Sequence, residues 1–123
     1  MKNFITIGAI FGALAVMIGA FGAHALKASL SAYEMGVFST GSNYHFYHAF
    51  ALIAYGLLAK DKDLPAWPAY AFIFGIIVFS GSLYLLAVTH TPKFGMITPL
   101  GGLGLIAGWI GFALAARKKT ITN

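Results

Sequence analysis

The stretch YHFYHAFALIAYGLLA, Tyr44 to Ala59, decides how this chain is organised, because it places two imidazoles and two phenols at the mouth of an apolar run. In a helix His45 and His48, three residues apart, lie about 60° apart on the face shared by Leu52 and Gly56. The run is 16 residues long, short of the roughly 20 needed to cross about 30 Å of hydrocarbon at about 1.5 Å each. It reads as a span that begins a turn earlier or is thinned by its polar mouth.

Working outward, the composition excludes a soluble domain. The 123 residues are 59% hydrophobic and 9% charged, whereas a water-facing domain carries about a quarter of its residues as Asp, Glu, Lys and Arg. Three more apolar runs, Phe4 to Leu26, Ala66 to Val88 and Met96 to Ala116, join Tyr44 to Ala59. The expected fold is all-α, a single transmembrane domain over residues 1–123 with four spans and a short outer interfacial helix. The N-terminal run with Ala23-His24-Ala25 imitates a signal peptide, but it exceeds the roughly 7 to 15 residues of a signal core and is expected to be retained.

The net charge of +5 would suggest nucleic acid in a soluble protein, yet the basic residues flank the spans. With four crossings, Lys2, Lys60, Lys62, Arg117, Lys118 and Lys119 share one side and only Lys27 and Lys93 the other. That asymmetry places both termini in the cytoplasm. The connection Lys27 to Asn43 and the turn His90 to Gly95 then lie outside, and all four histidines fall on that side.

Small residues recur in two seams. Gly8, Gly12, Ala15, Gly19 and Gly22 share one face of the first span; Gly101, Gly104, Gly108, Gly111 and Ala115 share one face of the fourth. Such seams admit close backbone approach where lipid removes the hydrophobic drive for helices to associate. They are expected to pack on each other or to face another subunit, making a homo-oligomer or a contact with other membrane proteins.

Between the first two spans, Ser31-Ala32-Tyr33-Glu34 has the form of a capping box, so a short outer helix is expected to begin there. It runs through Val37 and Phe38 until Gly41-Ser42-Asn43 turns the chain inward. The inner loop Lys60-Asp61-Lys62-Asp63-Leu64-Pro65 reads as a solvated turn without chemistry, and Trp67 and Tyr70 as interfacial aromatics. Ser80, Gly81 and Ser82 bring small polar groups near the middle of the third span. Thr98-Pro99 and Gly101-Gly102 open the fourth with an irregular first turn.

Few chemistries survive. There is no cysteine, which excludes disulfides, thiolate metal sites and thiol catalysis. No Gly-rich phosphate loop, Ser-His-Asp set or basic-aromatic patch for nucleic acid is present. The only acids, Glu34, Asp61 and Asp63, lie outside the spans, which argues against a proton-coupled exporter. His45 and His48, completed by His24 or His90, have the spacing for a metal, but no intramembrane carboxylate assists. The reading is no catalytic residue, no metal and no cofactor. The candidate polar or ligand site comprises His24, Tyr44, His45, His48, Ser80, Ser82 and Tyr84. His48, a turn deeper than His45, is expected to be the more buried and to bond to His24, Ser80, Ser82 or Tyr84.

Several blocks together resemble the YgdD/YwdK-like family of small bacterial membrane proteins of unknown function, which has a mitochondrial relative in animals. They are Gly19-Ala20-Phe21-Gly22-Ala23-His24, Thr40-Gly41, Tyr44 with His48, Phe79-Ser80-Gly81-Ser82-Leu83-Tyr84, Thr98-Pro99, Gly101-Gly102 and Ala107-Gly108-Trp109. The resemblance implies a four-span protein of the bacterial plasma membrane and brings no activity or cofactor. The family pattern usually carries Gln at the position of His45. The expected function is non-enzymatic, a self-associating structural or accessory component in contact with lipid. The alternative is a binding or transport protein for a small ligand, metal, lipid or quinone at an outer-face site around His24 and His48.

Overall fold

The computed structural model describes residues 3–122, and they are helical almost throughout. Helix α1 (Asn3–Phe21) continues into a π-helical turn, Gly22–Leu26. Helix α2 (Ala32–Ala59) follows, then α3 (Trp67–Gly75), a π turn (Ile76–Ser80) and α4 (Gly81–Thr89), which run on as one rod. A 3-10 turn (Pro92–Met96) leads into α5 (Thr98–Thr122). Among the described residues three helical segments are long and apolar enough to cross a membrane: Asn3–Leu26, Trp67–Thr89 and Pro92–Lys118.

The start of α2 follows from its capping box. The Glu34 amide donates to Ser31 Oγ at 3.1 Å and the Ser31 amide donates to Glu34 Oε1 at 3.0 Å, satisfying two of the free amides at a helix start. The expected turn at Gly41-Ser42-Asn43 is absent, and with it the separate outer helix: α2 runs unbroken for 28 residues. Glycine inside a helix costs about 1 kcal/mol relative to alanine, and packing offsets it here. A side chain at Gly41 would crowd Leu83, Tyr84 and the Ser80 carbonyl, while Ser42 fits against Gly19 of α1.

The two glycine seams do not meet each other. The α1 seam lies on α2, with Gly8 against Ile53 and Ala49 and Gly22 against Phe38; the α5 seam lies on the α3–α4 rod, with Gly101 against the Phe79 backbone, Gly104 against Phe74 and Gly108 against Phe72. Gly12 is looser, with only Phe46 in reach of an added methyl, and Gly111 sits on Trp67 and Pro68. Bulky aromatics fill the grooves that the glycines open, so each seam is occupied within the chain. The result is a central pair, α2 and the α3–α4 rod, flanked by α1 on α2 and α5 on α3.

The apolar core occupies the end of the molecule near Lys60. Leu52, Tyr55, Ala69 and Phe72 are fully buried there, with Phe4, Ile76 and Leu105 around them. The Tyr55 hydroxyl donates to the Pro65 carbonyl at 2.7 Å and ties the α2–α3 turn to this core. Polar side chains gather in the other half.

Candidate functional site

The site is built on one stripe of α2. Gly41, His45, His48, Leu52 and Tyr55, spaced four, three, four and three, are all buried and face the interior on successive turns. Counted from Ala32, His45 and His48 are the fourteenth and seventeenth of 28 residues, so they lie at the middle of the helix rather than at its mouth. They are equally buried, 4% and 5% exposed, and differ in their partners.

His45 Nδ1 bonds the Tyr84 hydroxyl of α4 at 2.8 Å, and the Ser42 side chain acts on the same hydroxyl. One turn along, Ser80 Oγ donates to the Gly41 carbonyl at 2.7 Å in a buried bond, which the absent side chain of Gly41 makes reachable. Ser82 Oγ donates to the Phe79 carbonyl at 2.9 Å and also bonds Thr98 Oγ1. A serine hydroxyl has one proton, so Thr98 is the donor between the two. His45 Nε2 is the one buried side-chain nitrogen or oxygen without a hydrogen-bond partner among the described residues. It faces α1, where the Phe11 backbone acts on the imidazole and the Phe11 ring stands edge-on at 5.9 Å.

His48 is saturated. Its Nδ1 lies 2.7 Å from the Tyr44 carbonyl, an acceptor, so Nδ1 carries the proton and Nε2 is left as an acceptor. Trp109 Nε1 on α5 donates to that Nε2 at 3.0 Å. A second proton on the ring would face the indole N–H, so the arrangement holds a neutral imidazole. The expected partners of His48 therefore give way to Trp109: Tyr84 is held by His45, and Ser80 and Ser82 bond to backbone carbonyls and Thr98.

His24 does not join the site. It lies exposed in the π turn after α1 and has no hydrogen-bond partner among the described residues. His90 ends α4 in the left-handed conformation, φ 56°, and its Nδ1 meets Glu34 Oε2 at 2.8 Å. Hydrogen bonds from the Ser31 backbone and then from His90 hold the Glu34 carboxyl below its ordinary value of 4.5. The metal set weighed from the sequence does not assemble: no three of His, Cys, Asp and Glu come together among the described residues. Nor do His24, Tyr44, His48, Ser80 and Tyr84 share a pocket. Tyr44 and His48 instead line a lateral groove of about 630 Å³ between α2 and α5, with Tyr47, Phe79 and Trp109.

Trp109, Thr98 and the Glu34–His90 pair are the residues that sequence reasoning did not place in the site. Trp109 carried a usable signal, an indole N–H within an apolar run that needs an acceptor where water is excluded. Glu34 and His90 are 56 residues apart and carried none.

The model of the family described as "Protein of unknown function (DUF423)" matches residues 18–102. The chain belongs to the DUF423 family. The matched region holds every residue of the polar cluster except Trp109. Relatives of DUF423 type extend the likeness over nearly the whole chain. The UPF0382 membrane protein YwdK of Bacillus subtilis is 45% identical over 124 residues, covering 96% of this chain and 98% of its own. The UPF0382 inner membrane protein YgdD of Escherichia coli K12 is 37% identical over 126 residues, covering 97% and 95%. A UPF0382 membrane protein of Staphylococcus epidermidis is 40% identical over 119 residues, covering 96% and 98%. No solved structure matches.

Proposed function

We propose that this DUF423 protein is a non-enzymatic, self-associating component of the bacterial plasma membrane that crosses it four times with both termini in the cytoplasm, α2 adding a crossing to those of the three long apolar segments. The observation that carries the reading is the sidedness of α2. At about 1.5 Å per residue it is about 42 Å long, more than the roughly 30 Å of hydrocarbon, so its first turn, with Glu34, reaches beyond the apolar layer. Its histidines point inward while Phe46, Tyr47, Phe50 and Leu57 point outward, the arrangement of a span rather than of a water-facing helix. Every acid of the chain lies in that first turn of α2 or in the α2–α3 turn, and His48 is a bonded, neutral helix-to-helix link. That is chemistry for holding helices together.

Asn43 breaks the sidedness. It is exposed at mid-helix and no hydrogen bond reaches its side chain among the described residues. An unpaired amide in hydrocarbon costs several kcal/mol, and a second copy of the chain removes the cost, because an amide is donor and acceptor at once and pairs with itself across a two-fold axis. Open space at Gly36, two turns away on the same side, gives an approaching helix room. The interface thus moves from the glycine seams to α2. The test is subunit counting in lipid nanodiscs by native mass spectrometry. Asn43→Leu should shift the oligomer toward monomer about five- to thirty-fold, as for one or two interhelical amide bonds. An unchanged distribution, or a monomeric parent protein, would sink the self-association.

The lateral groove favours a second reading. Its aromatic walls and the phenols of Tyr44 and Tyr47, whose hydroxyls make no hydrogen bond among the described residues, suit a planar membrane-soluble ligand that enters from the lipid. Retention of such a molecule, stoichiometric and lost in Tyr44→Leu, would select it over the first.

A further inference from the structure

The structure holds a second concavity at the opposite end, a cleft of about 570 Å³ between the start of α1 and the end of α2. Its floor and walls are Ile5, Thr6, Gly56 and Ala59, and its rim is Lys60, Asp61 and Lys62. The sequence alone treats this rim as an idle turn. Gly56 and Ala59 are buried, Ile5 is half-buried and the three rim residues are exposed, so the cleft has an apolar interior and a basic lip. It opens where α2 ends, beside the charged start of the α2–α3 turn. Asp61 adopts φ 59°, a left-handed turn that closes the helix and brings the lysines on either side of it to the same rim.

We propose that this cleft binds one anionic phospholipid, with the phosphate of its headgroup between Lys60 and Lys62 and an acyl chain along Ile5, Gly56 and Ala59. The inference rests on the placement of α1 and α2 as neighbouring spans. Charge and polarity select this occupant. Basic pockets between membrane helices on the cytoplasmic side bind anionic headgroups, and a free phosphate gains nothing from the apolar wall. Gly56 lets α1 close on α2 at the floor of the cleft, since a side chain there would collide with Ile5 and Phe4. The Asp61 carboxylate offsets one of the two lysine charges on the rim and leaves it positive, and among the described residues no ion pair joins Asp61 to either lysine.

The experiment is native mass spectrometry of the full chain released from mixed micelles, titrated with phosphatidylglycerol or with phosphatidylcholine of the same acyl chains. The parent protein should retain one phosphatidylglycerol and should bind phosphatidylcholine at least ten-fold more weakly. The Lys60→Ala/Lys62→Ala variant should weaken phosphatidylglycerol about thirty-fold, five-fold for each lysine, with the helix content and melting temperature of the lipid-free protein unchanged. Thr6→Trp, which fills the cleft without altering charge, should weaken it as well. Lys27→Ala/Lys93→Ala, at the other end of the molecule, should not. Equal retention of the two lipids, loss of lysine dependence, or displacement by millimolar inorganic phosphate would each overturn the proposal. None of these results depends on oligomer size, so failure here is distinguishable from failure of the Asn43 interface.

Discussion

Replacing Trp109 by Phe deletes one N–H donor and leaves His48 Nε2 an acceptor without a partner, because Nδ1 is already committed to the Tyr44 carbonyl 2.7 Å away. Two effects combine. The smaller ring also loses packing against Phe72 and Phe112, whose centroids lie 5.3 Å and 6.0 Å from the indole; with Trp109 48% exposed, this loss stays well below the roughly 3 to 5 kcal/mol of emptying a fully buried ring site. A buried acceptor left bare costs about 1 to 3 kcal/mol in water-soluble proteins. In a membrane the figure falls to an average of about 0.6 and at most about 1.7 kcal/mol, because the unfolded chain also finds partners within the bilayer. The double-mutant cycle of Trp109→Phe with His48→Leu isolates this second term. We expect a coupling of about 0.6 to 1.7 kcal/mol. Reversible unfolding in mixed micelles, followed by circular dichroism because the substitution removes one of the two tryptophans, measures it. A coupling below about 0.3 kcal/mol, the ordinary scatter of additive sites, would refute the bond as a structural link.

Two further outcomes are expected. The Glu34 carboxyl is held below 4.5 in the folded state, so the tether it forms is fully present above that value and is lost as pH falls through the lower, folded-state pKa; Glu34→Gln should abolish this acid-dependent loss of melting temperature, and an identical acid limb in the variant would count against the tether. Gly101→Ala should destabilise by about 1 to 3 kcal/mol or more, since the added methyl meets the Phe79 backbone, which cannot move aside, whereas Gly81→Ala, in helical conformation with nothing nearby, should stabilise by about 0.4 to 1 kcal/mol; chemical unfolding of both variants checks the sign and the order.

Periodicity reveals faces and not partners, and that divides what could be read in the chain from what could not. The spacing of Gly8, Gly19 and Gly22 and of Gly101, Gly104 and Gly108 identifies two close-packing surfaces, but whether each meets the other or an adjacent helix depends on which aromatic side chains stand opposite. Phe38, Phe72, Phe74 and Phe79 settle it, and none of them announces that role locally. The capping box at Ser31 is local chemistry and was legible; the continuity of α2 through Gly41-Ser42-Asn43 was not. Those three residues are turn formers by composition, and what holds them helical lies 39 residues away at Ser80. That continuity moves His45 and His48 from the expected start of a helix to the middle of a long one, which changes the kind of site they make.

The two histidines, alike in burial, are unlike in chemical freedom. His48 has both ring nitrogens bonded, whereas the Nε2 of His45, behind its bond to Tyr84, makes no hydrogen bond among the described residues and has the Phe11 backbone beside it. A glutamine at position 45 could reach the Tyr84 hydroxyl with its amide but carries no titratable nitrogen, so His45→Gln tests whether the site needs the bond or the imidazole. In the fold this stripe of α2 bonds α4 through His45 and reaches past the rod to α5 through His48, so the longest helix of the chain fixes the register of two others by side-chain hydrogen bonds.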